Sequence, residues 1–280
     1  SLATTAPPGS VLLVTSPSFS SSGTVDRVKK ILADREITVY DKVKPNPELD
    51  DIDTIYAGLK DFNYSCIIAM GGGSVIDTAK ALRVLLAGNA GTSLAADFRN
   101  GRKPVCKRGP YLITLPTTAG TGSEVTPFAT VWDSVTGKKF SVDGEAVYPV
   151  VALLDPALTL NLPASITLNT GLDAISHALE SIWNKNRTPV SAGFALNSLI
   201  LSVNTLPRLL AGENDIGLRA KMQWASTLSG MAISQTRTAL AHSISYPVTL
   251  KLGIPHGLAA SFSLVPLVDV FLKKSEDPLY

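Results

Sequence analysis

The stretch "SCIIAMGGGSVIDTAKALRVLLAG", residues 65–88, decides the fold. It opens with an apolar run of strand length. Three glycines and a serine follow, then apolar residues at helical spacing up to Gly88. A strand, a glycine turn and a helix in direct succession read as part of a parallel α/β sheet. Glycines let the backbone approach an anion closely, and the helix start offers unpaired N–H groups and the positive end of its dipole. The pattern is neither G-x-G-x-x-G nor a Walker loop. A phosphate cradle and a plain tight turn both stay open on this stretch alone.

The same alternation extends outward. "VLLVT" (11–15), "ITVYD" (37–41), "YLITLP" (111–116) and "VVALLDP" (150–156) read as strands. "GTVDRVKKILADRE" and "LDDIDTIYAGLKDF" read as helices between them. Strands alternating with helices of this length predict a doubly wound parallel sheet, a Rossmann-like α/β domain over residues 1–160. Within it, "TPFATVWDSVTGKKFSVD" predicts a hairpin around "SVTG". After Pro163 the spacing of apolar residues is helical throughout, which predicts an all-helical domain over 161–280.

Of the 280 residues, 45% are hydrophobic and 17% charged, with a net charge of +2 and no basic block longer than "KK". Such a chain builds a core and carries no electrostatic footprint for nucleic acid or an anionic membrane. No uninterrupted apolar run approaches the roughly 18 residues of a membrane span. "SLATTAPPGS" lacks the pattern of a signal peptide, so a cytoplasmic protein is expected. Cys66, in an apolar run, and Cys106 show no metal or disulfide spacing, although one bridge between them stays open.

A second polar loop, "PTTAGTGSEVT" (116–126), follows a strand and offers the hydroxyls of Thr117, Thr118, Thr121, Ser123 and Thr126. Such hydroxyls suit diphosphate and ribose oxygens; Ser123 equally suits a helix cap. Two such loops at the carboxyl ends of parallel strands point to a dinucleotide site. In the helical half, "GLDAISHALESIW" sets Asp173 and His177 four residues apart, on one helix face. The other two histidines of the chain, His242 and His256, fall in "RTALAHSISYPVTLKLGIPHG", where Gly257 frees the backbone beside His256. Three imidazoles and a carboxylate form a ligand set for Zn²⁺ or Fe²⁺. Each histidine alone reads more readily as a hydrogen-bonded core or surface residue than as a ligand.

"GGGSVIDTAK", "LPTTAGTGSE", "GLDAISHALE" and "IPHG", in this order, resemble the iron-containing (group III) alcohol dehydrogenases, over about residues 11–270. The resemblance implies a dehydroquinate synthase-like architecture and an NAD(P)-dependent oxidoreductase, with Fe²⁺ or another divalent metal acting as Lewis acid on an aldehyde oxygen. It implies metal ligands at Asp173, His177, His242 and His256. It places the cofactor, NADPH or NADH, on Gly71, Gly72, Gly73, Ser74 and Asp77, on the threonine loop including Ser123 and Thr126, and on Lys139. It also implies a homodimer.

Four departures refine this expectation. The chain looks shorter than family members at both ends. Ser16 in "TSPSF" stands where an aspartate often faces the adenosine ribose, and its lack of charge makes a 2′-phosphate acceptable. Tyr246 stands where many members carry a further histidine; it could relay a proton or fill space. Arg237, five residues before His242, could select an anionic substrate group through a bidentate pair, or serve a structural ion pair. The stretch "TRTALAHSISYP" is most similar to the subgroup that reduces phosphonoacetaldehyde to 2-hydroxyethylphosphonate. A general short-chain alcohol dehydrogenase, a dehydroquinate-synthase-like lyase and a non-catalytic nucleotide-binding module are the alternatives.

Overall fold

The computed structural model describes residues 1–88, 93–105 and 107–274; Cys106 lies outside them. The chain forms two compact units. One combines Ser1–Pro116 with Thr126–Leu154; the other combines Thr117–Val125 with the chain from Asp155 onward. A single boundary near residue 160 does not capture the threonine loop, which groups with the helices rather than with the strand that leads into it.

In the first unit, α1 (Leu2–Thr5), β1 (Val11–Thr15), α2 (Pro17–Ser21), α3 (Thr24–Ile31), β2 (Ile37–Tyr40) and α4 (Leu49–Leu59) lead to β3 (Cys66–Gly71). Then follow α5 (Gly73–Leu86), α6 (Leu94–Arg99), β4 (Tyr111–Pro116), β5 (Phe128–Asp133), β6 (Lys138–Asp143) and β7 (Val151–Ala152). The main sheet has the order β2-β1-β3-β4-β7, and every pair is parallel. All residues of β1 and β3 are buried, as a sheet covered on both faces requires. Each such Val, Leu or Ile contributes roughly 1.5–3 kcal/mol by leaving water. Cys66 is part of this core, and burial pushes its thiol up to about 12, so it packs as a small hydrophobe. Successive strands depart to opposite sides of β1, so the sheet has its switch point between β1 and β3.

The predicted hairpin is β5–β6, a separate antiparallel pair turning through residues 134–137. A polar stripe on α5 holds it. Asp77 accepts the Thr130 backbone N–H at 2.9 Å. Lys80, with no exposed surface, donates to the Thr126 carbonyl (2.9 Å), the Thr126 hydroxyl (3.1 Å) and the Phe128 carbonyl (2.8 Å). Arg83 donates to the carbonyls of Pro110, Ala146 and Tyr148 at 2.7–2.8 Å. Residues 77, 80 and 83 lie on one helix face, and together they satisfy backbone groups that no strand partner reaches.

The second unit is built on α7 (Ala164–Ile182), α8 (Pro189–Leu210), α9 (Ile216–Thr236), α10 (Leu240–Leu252), α11 (His256–Ser261) and α12 (Leu264–Lys274). By length and composition alone, α8 and the run from His256 to Lys273 are long and apolar enough to cross a membrane, as core helices often are. In the structure α8 packs against α7 and α9, and its Ser198 hydroxyl donates to the Ala225 carbonyl inside that packing. The threonine loop lies against α9 by an approach only glycine allows. A Cβ on Gly122 would stand 2.3 Å from the Cα of Gly230, and Gly122 itself has φ of +61°.

Candidate metal centre

Helix α7 presents Asp173 and His177 on the same face one turn apart, and α10 brings His242 to them. His256 is the first residue of α11. Gly257 beside it serves close approach rather than a turn: a Cβ there would stand 1.9 Å from the Asn169 carbonyl oxygen. Asn169 also accepts the Leu258 N–H at 3.2 Å, so α11 is docked on α7 at the point where His256 is presented.

The three Nε2 atoms of His242, His177 and His256 converge on one oxygen, Asp173 Oδ1, at 3.4, 3.6 and 3.9 Å. The His177 and His242 rings stack at 4.7 Å, and the His256 ring meets His242 edge-on at 5.2 Å. Asp173, His177 and His242 are buried; the His256 side chain keeps 28% of its surface exposed. Neither Asp173 Oδ1 nor His242 Nε2 has a hydrogen-bond partner, although both are fully enclosed. Leaving such atoms unmatched costs about 1–3 kcal/mol each, or more for a charged group. A cation accounts for the arrangement: ligand atoms on tetrahedral bonds of about 2.0–2.1 Å lie about 3.4 Å apart. Asp173, His177 and His242 satisfy the spacing of a metal-holding group, and His256 stands beside them on the open side.

The electrostatics follow from burial among mixed charges. Burial alone raises the Asp173 carboxyl, but His177, His242 and His256 outweigh it and hold it below the usual range. Burial lowers His177. His242 is also opposed by burial, yet Asp173 and Glu180 raise it to about 9. Reading along the sequence passes over Glu180. It has no exposed surface, and its Oε2 lies 2.5 Å from His242 Nδ1. The signal was present in "GLDAISHALE": Glu180 falls seven residues after Asp173 and three after His177, on the same face of α7.

The other expected site residues sort by what they already bind. Gly72 caps α5 without any side-chain cap, leaving the helix start to its backbone N–H groups. The Ser74 hydroxyl accepts the Asn46 N–H at 3.2 Å. Ser16 caps α2, and its hydroxyl pairs with that of Ser18 at 2.9 Å. With Gly71 ending β3 and Ser16 following β1, these two loops flank the switch point of the sheet. In the threonine loop Thr118 and Thr121 are half-buried, whereas Thr117, Ser123 and Thr126 are buried. Thr121 Oγ1 accepts the Ser123 N–H at 3.3 Å. Thr126 and Asp77 make the contacts to Lys80 and Thr130 described above. Lys139 lies over the Trp132 ring, its Nζ 5.9 Å from the centroid. Tyr246 is half-buried, its ring 6.3 Å from that of His256 and nearly parallel to it. Arg237 is exposed and ends α9 with φ of +68° and ψ of 175°.

Comparison with known proteins agrees with this geometry. The sequence profile described as "Iron-containing alcohol dehydrogenase" matches residues 2–156, and that of the "Fe-containing alcohol dehydrogenase family, C-terminal" matches residues 167–277. The chain belongs to the iron-containing alcohol dehydrogenase family. It is 32% identical over 260 residues to choline dehydrogenase of Bacillus subtilis (strain 168), covering 92% of this chain and 64% of that protein. It is 33% identical over 255 residues to NAD-dependent methanol dehydrogenase of Bacillus methanolicus, covering 90% and 66%. The chain thus spans slightly under two thirds of these two relatives. Among solved structures, sulfoacetaldehyde reductase from Bifidobacterium kashiwanohense in complex with NAD+ superposes with a TM-score of 0.87 at 31% identity, covering 94% of this chain and 69% of that one.

Proposed function

We propose that this chain belongs to a metal-dependent NAD(P)(H) oxidoreductase that interconverts an aldehyde and a primary alcohol. The observation that carries the reading is the convergence of three imidazole nitrogens on the unmatched Asp173 oxygen. When bound, a divalent metal there supplies Lewis acidity toward a carbonyl oxygen, and the nicotinamide supplies hydride. Reduction consumes one aldehyde, one NAD(P)H and one proton, and yields one alcohol and one NAD(P)+.

This chain's residues hold and orient the reactants. Asp173, His177, His242 and His256 form the ligand set, with His256 on the side that remains accessible. The Gly71–Ser74 turn holds the cofactor diphosphate, and Thr118 and Thr121, the half-buried threonines of their loop, orient the rest. The uncharged Ser16 leaves either NADPH or NADH acceptable at the adenosine end. Tyr246, beside the His256 ring, is placed to pass the proton on.

The substrate in this proposal is a small aldehyde with an anionic substituent, phosphonoacetaldehyde reduced to 2-hydroxyethylphosphonate. Arg237 supports it. Its backbone sits in a region that only glycine adopts freely, at a cost of order 1–3 kcal/mol, and such strain concentrates at functional sites. Asn184 Nδ2 and the Thr236 hydroxyl both donate to its carbonyl, at 3.2 and 2.9 Å, and hold the turn. Likeness to a reductase of sulfoacetaldehyde, another anionic aldehyde by name, points the same way. The test follows NADPH oxidation by Fe²⁺-reconstituted protein with phosphonoacetaldehyde and with propanal, for wild type and Arg237→Ala. A preference for the phosphonate that disappears in the variant is expected. Equal rates would keep the oxidoreductase and remove the anionic substrate; turnover without net NADPH consumption would remove the oxidoreductase.

A further inference from the structure

Glu180 makes demands on its surroundings that the start of α10 meets. A carboxylate with no exposed surface must collect donors or forgo its charge. Its donors come from the start of α10. The His242 backbone N–H reaches Oε1 at 3.2 Å, the Ala239 backbone N–H is also directed at the carboxylate, and the His242 ring meets Oε2 through Nδ1. Helix α10 begins at an alanine that offers no side-chain cap. Glu180 therefore acts as the cap of a helix to which it does not belong, at the end where a negative charge is favoured.

We infer that Glu180 is a positioning residue for the metal centre, fixing both the orientation and the tautomer of His242. A metal takes only the neutral ring, and because an ionised carboxylate only accepts hydrogen bonds, the one hydrogen that ring keeps must sit on Nδ1. Nε2 is then left with its lone pair, and it is this atom that lies 3.4 Å from Asp173 Oδ1 without a hydrogen-bond partner. One carboxylate thus sets where His242 stands, by capping its helix, and which nitrogen it offers, by taking the other. The inference rests on the metal-site reading proposed above. Outer partners of this kind typically contribute about 10–100-fold to metal affinity.

The test titrates the purified protein with Co²⁺, read by its visible absorption, with Zn²⁺ competing against a chelator. Wild type is compared with Glu180→Gln and Glu180→Asp, and each is melted in excess EDTA. Glutamine can donate as well as accept, which lets Nε2 carry the hydrogen and closes it to the metal. E180Q is expected to bind Co²⁺ about 10–100-fold more weakly, with an altered absorption band, while its EDTA-treated form still melts cooperatively. E180D keeps the charge at a shorter reach and should fall between the two; it carries the test alone if E180Q does not fold. Affinities within about twofold of wild type and an unchanged band in a folded variant would overturn the inference and leave Glu180 a helix cap only. Wild type that binds no Co²⁺ would overturn the metal reading itself, and this inference with it.

Discussion

Two buried aspartates show how differently the two units spend their polar residues. Asp133, at the end of β5, has a fully enclosed carboxylate that accepts two hydrogen bonds from Arg99 and one from Thr136. Asp173, on α7, is almost as enclosed, yet its Oδ1 accepts no hydrogen bond and faces three imidazoles instead. In the first unit, the buried polar groups Lys80, Arg83 and Asp133 are matched, and Lys80 and Asp133 tie the hairpin to α5 and α6. In the second, the cluster around Asp173 is held together but left unmatched at its centre. A matched buried group speaks for stability; a cluster of carboxylate and imidazole atoms left unmatched together speaks for a ligand.

The largest expected effect breaks this contrast at its centre. Asp173→Asn removes the negative charge on which all three imidazoles converge and leaves at most a neutral amide oxygen in its place. Metal affinity should fall well beyond the ~10–100-fold typical of losing a residue that only supports a ligand. The metal-free variant should still melt within a few degrees of wild type. Calorimetric titration with Zn²⁺ and melting in EDTA check both halves. A variant that binds Zn²⁺ normally would show that the convergence is an ordinary ion-pair cluster.

Lys80→Met is the converse. Methionine fills much of the same space but leaves the Thr126 and Phe128 carbonyls without their donor. The expected loss is about 2–4 kcal/mol of stability, read by urea unfolding, with Zn²⁺ affinity unchanged. If K80M unfolds at the wild-type urea concentration, the buried lysine does not hold the hairpin as described.

Gly257→Ala couples the two readouts. The new methyl group would overlap the Asn169 carbonyl and push α11 away from α7, carrying His256 with it. A cost of about 1–3 kcal/mol is expected, together with weaker Zn²⁺ binding. Loss of stability without any change in binding would separate His256 from the site.

How much of this was legible in the sequence depends on what each unit is made of. The strands of the first unit are continuous apolar runs, and β1, β3 and β4 fall where those runs predict. Its candidate cofactor site consists largely of backbone and glycine, so the residue types showed only that a turn was possible. The contacts of Asp77 and Thr126 were hidden because their partners, Thr130 and Lys80, are far along the chain. The second unit was the reverse. Its helices were legible only as periodicity, but Asp173, His177, His242 and His256 stood out because histidine is so rare in this chain. Glu180 did not stand out, since a glutamate on a helix is ordinary until the helix face is known to be buried. The excursion of residues 117–125 into the helical unit has no local signal either: the close contact of Gly122 with Gly230 spans more than a hundred residues.

The smallest expected effect returns to Asp133 and sets the pH behaviour of the matched region. Arg99, and after it Thr136, hold this carboxyl down to about 2 against the opposing effect of burial. The unfolded chain has an ordinary aspartate near pH ~3.9. A group depressed on folding adds stability above the unfolded value and loses it as pH falls through the folded one. Asp133→Asn should therefore melt a few degrees below wild type at pH 7, with the same gap down to about pH 4. Between about pH 4 and 2 the gap should close, because wild type then surrenders the same charge. Zn²⁺ affinity at pH 7 should not change, since the carboxylate serves the hairpin alone. A gap that stays constant to pH 2 would mean that the Arg99 interaction acts through shape rather than charge. A change in Zn²⁺ affinity would mean that the two units are not as separate in their chemistry as the two aspartates indicate.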